Sequence, residues 1–131
     1  MNKDEICSKM LYSWVRLKQK QYSIADFLEY LGIESVLIYG AGLYGILILN
    51  ELRESKIKVV AGVDAEGGRL DFNLNVLSLK DELPDTDAII ITPIWVSDEI
   101  IRNLEKQGKS RCINLDDLVY SCIAWEEGAH D

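Results

Sequence analysis

Residues 36–52 read VLIYGAGLYGILILNEL: an apolar run, three glycines within six positions, then a second apolar run. The first run has the length of a buried strand, and the second suits a helix that is apolar around most of its circumference. Glycine weakens both kinds of interior, so three at the joint indicate a backbone that turns sharply and is approached closely. Gly40, Gly42 and Gly45 match G-x-G-x-x-G between a strand and a helix.

In that pattern Gly40 permits the tight turn, Gly42 leaves the backbone open to a pyrophosphate, and Gly45 lets the helix pack closely on the sheet. Ala41, Leu43 and Tyr44 complete the loop. A helix starting here aims free N–H groups and the positive end of its dipole at whatever lies above, so an anion is held without lysine or arginine. Tyr44 is placed to lie over such a ligand or to face solvent. About twenty residues on, Asp64 ends the run KVVAGVD, where an acid binds the two ribose hydroxyls of an adenosine. A carboxylate there repels a 2′-phosphate, which favours NAD over NADP, with Arg69 in the next loop as a counterweight.

Working outward, AEGGRLDFNLN is a loop, and VLSL is a short third strand. Ser78 then caps a brief helical turn, LKDEL, stopped by Pro84. DAIIITP is a strand apolar throughout, VSDEIIRNLEKQG a helix ended by Gly108, SRCINL a last strand and DDLVYSCIAWEEG a closing helix. Upstream, Ile6, Met10, Trp14 and Leu17 mark an amphipathic helix over residues 5 to about 20. Ser23 caps a second helix, with Asp26 three residues on and Gly32 at its end.

Strands apolar on both faces, alternating with helices, imply a parallel sheet covered on both sides. The expected fold is α/β: a three-layer, doubly wound, Rossmann-like parallel sheet of about five strands in the order 3-2-1-4-5. Two extra N-terminal helices precede it. Residues 1–131 read as one domain, with 1–32 a helical extension and 33–131 the nucleotide-binding core. Strands one and four part at the crevice, which brings Thr92, Pro93, Ile94 and Trp95 opposite the glycines. Thr92 is placed to hydrogen-bond a ligand, Trp95 to stack on a ring and Ser97 to cap the next helix.

The chain has 131 residues, is 48% hydrophobic and carries a formal charge of −8. That acidity argues against a nucleic-acid partner, which needs a basic face. Arg16, Lys18 and Lys20 read as the solvated side of a helix. No stretch reaches the roughly 18 apolar residues of a membrane span, and the acidic start is unlike a signal peptide. A cytoplasmic location is the expectation. Cys7, Cys112 and Cys122 lack metal-site spacing and read as buried, reduced thiols. No catalytic set stands out: no tyrosine is followed by lysine at the short-chain dehydrogenase spacing, and His130 is the sole histidine. Asp85 and Asp87 read as loop acids.

In their order VLIYGAGLYG, VVAGVDAE, NVLSLKDEL, DAIIITP and EIIRNLEKQGKSRCINL make residues 36 to 118 resemble small Rossmann-like domains of nucleotide-sugar enzymes. The N-terminal domain of bacterial sugar O- and N-acyltransferases and the binding domain of membrane-associated nucleotide-sugar dehydratases are similar. So are the NAD-sensing domain of the Rex redox repressor and related CoA-binding domains. The resemblance implies a nucleotide over residues 40–44, with Asp64 on a ribose or sugar hydroxyl. The acyltransferases often carry histidine where Tyr44 stands, and their hexapeptide-repeat helix, the repressor's winged helix and the dehydratase catalytic domain have no counterpart here.

The resulting expectation is a stand-alone module binding NAD or a nucleotide sugar in surface-polysaccharide or sugar-nucleotide metabolism. Two alternatives stay open: a small NAD-dependent, sugar-modifying enzyme subunit completed by a partner, and a non-binding assembly module. A homo-oligomer or a larger enzyme partner would dock through the N-terminal helices, with the Trp14 helix as the surface.

Overall fold

The first helix begins two residues earlier than its apolar periodicity alone indicates, because Asn2 and Glu5 form a reciprocal cap. Asn2 Oδ1 accepts the Glu5 N–H at 2.9 Å, and the Asn2 amide donates to Glu5 Oε1 at 2.9 Å. The computed structural model describes residues 2–65, 72–93, 96, 98–107 and 110–128. Arg69, Ile94, Trp95, Ser97, Gly108 and His130, each singled out above, lie outside the described residues.

The elements run α1 Lys3–Gln19, α2 Ile24–Tyr30, β1 Ser35–Tyr39, α3 Leu43–Leu52, β2 Lys58–Val63, β3 Val76–Leu77, β4 Ala88–Ile91, α4 Asp98–Gln107, β5 Arg111–Asn114 and α5 Leu115–Gly128. Ser23 caps α2 as expected, its Oγ accepting the Asp26 N–H at 3.0 Å. Gly32 follows that helix with φ +80°, a conformation that costs glycine little.

The five strands are all parallel and ordered β3-β2-β1-β4-β5, as expected. Side chains alternate across the sheet, so one apolar strand feeds two cores. Val36 and Ile38 face a core shared with Met10, Trp14 and Leu17 of α1, Leu28 of α2, Ile48 and Leu52 of α3, and Leu118 and Cys122 of α5. Leu37 and Tyr39 face the other core, with Ala61, Val63, Ile89, Ile91 and Leu104 of α4. Shifting β1 by one residue would exchange the two sets, so register is strongly specified. The N-terminal helices therefore belong to the main core.

One expected element is corrected. Residues 79–83 form a turn and not a helix. Ser78 N–H donates to Asp81 Oδ2 at 2.7 Å, Lys80 N–H to Ser78 Oγ at 3.2 Å, and Asp81 N–H to the Ser78 carbonyl at 3.0 Å. Pro84 supplies no N–H to continue the coil. Asp87 also does more than face solvent: its Oδ2 accepts the Glu34 N–H at 2.8 Å, pinning the entrance of β1. No helix among the described residues is long and apolar enough to cross a membrane.

Register is what positions the candidate site. Tyr39 pairs with Val63 on one side and Ile91 on the other. The residues that follow these three, Gly40, Asp64 and Thr92, consequently emerge level with one another at the carboxyl edge of the sheet.

Candidate functional site

The turn out of β1 is held from several directions. Gly40 has φ +95°, and a Cβ there would collide with Thr92 Oγ1 and come within 2.9 Å of Pro93 Cδ. Its N–H donates to the Val63 carbonyl at 2.8 Å. Thr92 is buried, and its hydroxyl donates to the carbonyls of Tyr39 at 2.9 Å and Gly40 at 3.2 Å. One hydroxyl proton shared between two backbone oxygens makes Thr92 a brace beneath the turn. Pro93 is exposed beside it.

Gly45 is a contact glycine. A Cβ at this position would strike the carbonyl oxygen of Gly40, so α3 sits as close to the strand end as backbone allows. The Phe72 ring lies 3.4 Å from the same point and 2.5 Å from a Cβ built on Gly62. Phe72 thus fills the angle between β2 and the start of α3. Sequence reading overlooked this pair, although a glycine inside a strand signals close approach.

Gly42 differs from both. It is the N-cap of α3, makes no side-chain capping bond, and has nothing within 4 Å of a Cβ built upon it. Its carbonyl accepts the Ile46 N–H at 3.0 Å, which starts the helix. Packing within the chain therefore gives no steric reason for glycine at 42. The space beside it is of the kind that a ligand approaching the backbone requires.

Asp64 closes the constellation. Its N–H donates to the Leu77 carbonyl at 2.9 Å, fixing its backbone beside β3. Its Oδ2 accepts the Ala41 N–H at 2.9 Å, so the acid expected to read a ribose is anchored on the glycine turn itself. Burial, and secondarily the Asp64 charge, raise the Tyr39 hydroxyl above its usual range.

The other loop side chains diverge. Leu43 is 64% exposed. Tyr44 packs against the main core and reaches back toward α1, where the Cys7 side chain, burial and the Asp4 charge push its hydroxyl up to about 12. Gly40, Ala41, Gly42, Gly45, Asp64, Thr92 and Pro93 are thus brought together. Trp95 cannot be placed with them, because it lies outside the described residues.

The arrangement sets the N–H donors at the start of α3 beside the Asp64 carboxylate. Among the described residues no group of three or more His, Cys, Asp or Glu could hold a metal ion. Cys122 is buried and Cys7 and Cys112 are half-buried, all as free thiols. No protein family, no curated protein and no solved structure matches this chain.

Proposed function

We propose that the chain binds a nucleotide, NAD or a nucleotide sugar, with the diphosphate at the N-terminus of α3 and a ribose or sugar hydroxyl on Asp64. The observation that carries this reading is Gly42. Gly40 and Gly45 are required by the turn itself, whereas Gly42 stands at an uncapped helix start with open space around it. A structural turn needs two of the three glycines; an anion-binding turn needs all of them. Asp64 supplies the acceptor for a diol and disfavours a 2′-phosphate, so NAD is preferred to NADP.

The setting in sugar-nucleotide or surface-polysaccharide metabolism comes from resemblance in motif order alone. There the chain would serve as a binding subunit, with catalytic groups supplied elsewhere if a reaction occurs.

A thermal-shift panel with NAD, NADP, a UDP-sugar, CoA and S-adenosylmethionine tests the reading. A ligand at one hundred times its dissociation constant adds about 2.7 kcal/mol of stability, a readily measured shift. The expected result is stabilisation by NAD or the UDP-sugar that disappears in Gly42→Val while the variant stays folded. Equal affinity in wild type and Gly42→Val would overturn it.

A further inference from the structure

Side chains of α1 and α3, among them Leu11, Val15, Leu47 and Asn50, line an open groove of about 650 Å³. The two helices run in the same direction. Tyr44 meets Cys7 near one end, and Glu51 accepts from Trp14 and Lys18 near the other. On the helix expected to dock a partner, Trp14 itself is only 6% exposed. The apolar surface left open is different: Val15 is 55% exposed, Leu47 44% and Leu43 64%.

These residues fall on two seams. On α1, positions 4, 8, 11, 15 and 18 recur at intervals of four and three, giving Asp4, Ser8, Leu11, Val15 and Lys18 in one line. On α3, Leu43, Leu47 and Asn50 repeat the same intervals. Such spacing makes a helix face that pairs with another helix. The α1 seam is apolar at its middle, acidic at its first end and basic at its last. Reversed about Leu11, Asp4 at one end falls opposite Lys18 at the other.

We infer that the α1–α3 groove is a self-association surface, on which α1 of a second copy lies antiparallel to α1 about a two-fold axis near Leu11. In that arrangement Asp4 faces Lys18 of the second copy at both ends, and Leu11 meets its own copy at the centre, beside the groove that Val15 and Leu47 line. A parallel pairing would set Asp4 against Asp4 and Lys18 against Lys18, so charge selects the antiparallel form. Lys18 already bonds Glu51 at 2.6 Å, and an ammonium has three donors, so both partners are accommodated. An isologous contact of this kind closes at two copies.

Sedimentation equilibrium of the full chain between about 5 and 500 μM tests this without reference to any ligand. The expected mass is that of two chains, falling to one chain in Val15→Lys and Leu47→Lys with unchanged circular dichroism. Asp4→Lys alone should raise the dissociation constant at least tenfold. Mixing Asp4→Lys with Lys18→Asp should restore two-chain particles containing one of each. Should Lys18→Asp fail to fold beside Glu51, oxidative crosslinking replaces it: Leu11→Cys should form a covalent dimer far faster than wild type or Lys9→Cys. A single-chain mass throughout, which would leave the groove to a different protein, overturns the inference. So does a two-chain mass that survives Val15→Lys and Leu47→Lys.

Discussion

The Ala41 N–H donates to Asp64 Oδ2 at 2.9 Å, tying the glycine turn after β1 to the end of β2 across twenty-three positions of sequence. A single carboxylate thereby has two candidate tasks, bracing the turn and receiving a sugar hydroxyl. Two substitutions separate them. Asp64→Asn keeps an oxygen for the Ala41 N–H but removes the charge, and should leave stability nearly unchanged. If Asp64 receives a ribose, NAD affinity falls about 10- to 100-fold, since a hydrogen bond to a charged group contributes about 1.5–3 kcal/mol. The preference over NADP should shrink as well. Asp64→Ala should lower stability by about 1 kcal/mol in addition. Urea melts and calorimetric titration of both variants distinguish the roles, and equal NAD binding by all three proteins would confine Asp64 to bracing.

The three glycines should respond differently to the same small change. Gly40→Ala puts a side chain at φ +95° against Thr92 and Pro93, and Gly45→Ala drives one into the Gly40 carbonyl. Each should destabilise by about 1–3 kcal/mol or more, the usual cost of overpacking. Gly42→Ala meets nothing within 4 Å and should melt within a degree or two of wild type. A melting point for Gly42→Ala as low as that of Gly45→Ala would mean that the turn needs all three for folding.

What could be read in the sequence was what local chemistry decides. Ser23 and Gly32 bracket α2 because capping is settled within four residues, and the strand order followed from right-handed crossovers between strands apolar on both faces. Gly40 and Gly45 were legible for the same reason. The partners of Thr92, Asp64 and Tyr44 were not, since each side chain's destination depends on which element the fold brings beside it. Tyr44 turns to Cys7 and Thr92 to backbone carbonyls, two outcomes that no spacing rule contains. Phe72 under Gly62 escaped notice because the two stand ten positions apart in sequence. The turn at 79–83 was misread as helix because Ser78 and Asp81 form the same bonds in an isolated turn as at a helix start. Trp14 lies on the apolar stripe as periodicity required, yet the outward stripe with Val15 emerges only once α3 is seen alongside.

Burial pushes the Cys122 thiol from 9.0 up to about 12, with the charges of Glu126, Glu51 and Asp26 adding to it. The unfolded chain releases this proton near pH 9, whereas the folded chain retains it. Stability from this group is therefore full below pH 9 and declines as pH rises from 9 toward 12. Urea denaturation at pH 8, 9, 10 and 10.5 should show that decline, and Cys122→Ala, though less stable overall, should show a shallower one. The same burial should leave Cys122 unmodified by iodoacetamide at pH 8 until denaturant is added. Rapid labelling of the native protein at this position would contradict its placement in the core.

Glu51 divides its two oxygens between a buried donor and an exposed one: Oε1 accepts the Trp14 indole N–H at 2.9 Å, and Oε2 accepts Lys18 Nζ at 2.6 Å. The side chain of Glu51 is 9% exposed and that of Lys18 is 52%, so the two bonds differ in value. An ion pair with a solvated lysine contributes at most about 1 kcal/mol. A buried N–H left without an acceptor costs about 1–3 kcal/mol. Glu51→Ala should accordingly destabilise by about 2 kcal/mol, whereas Lys18→Ala should cost less than half of that. Glu51→Gln retains the oxygen facing Trp14 and should recover most of the difference. Urea melts of the three variants provide the ranking. If Lys18→Ala proves as costly as Glu51→Ala, the ion pair and not the indole bond fastens α1 to α3.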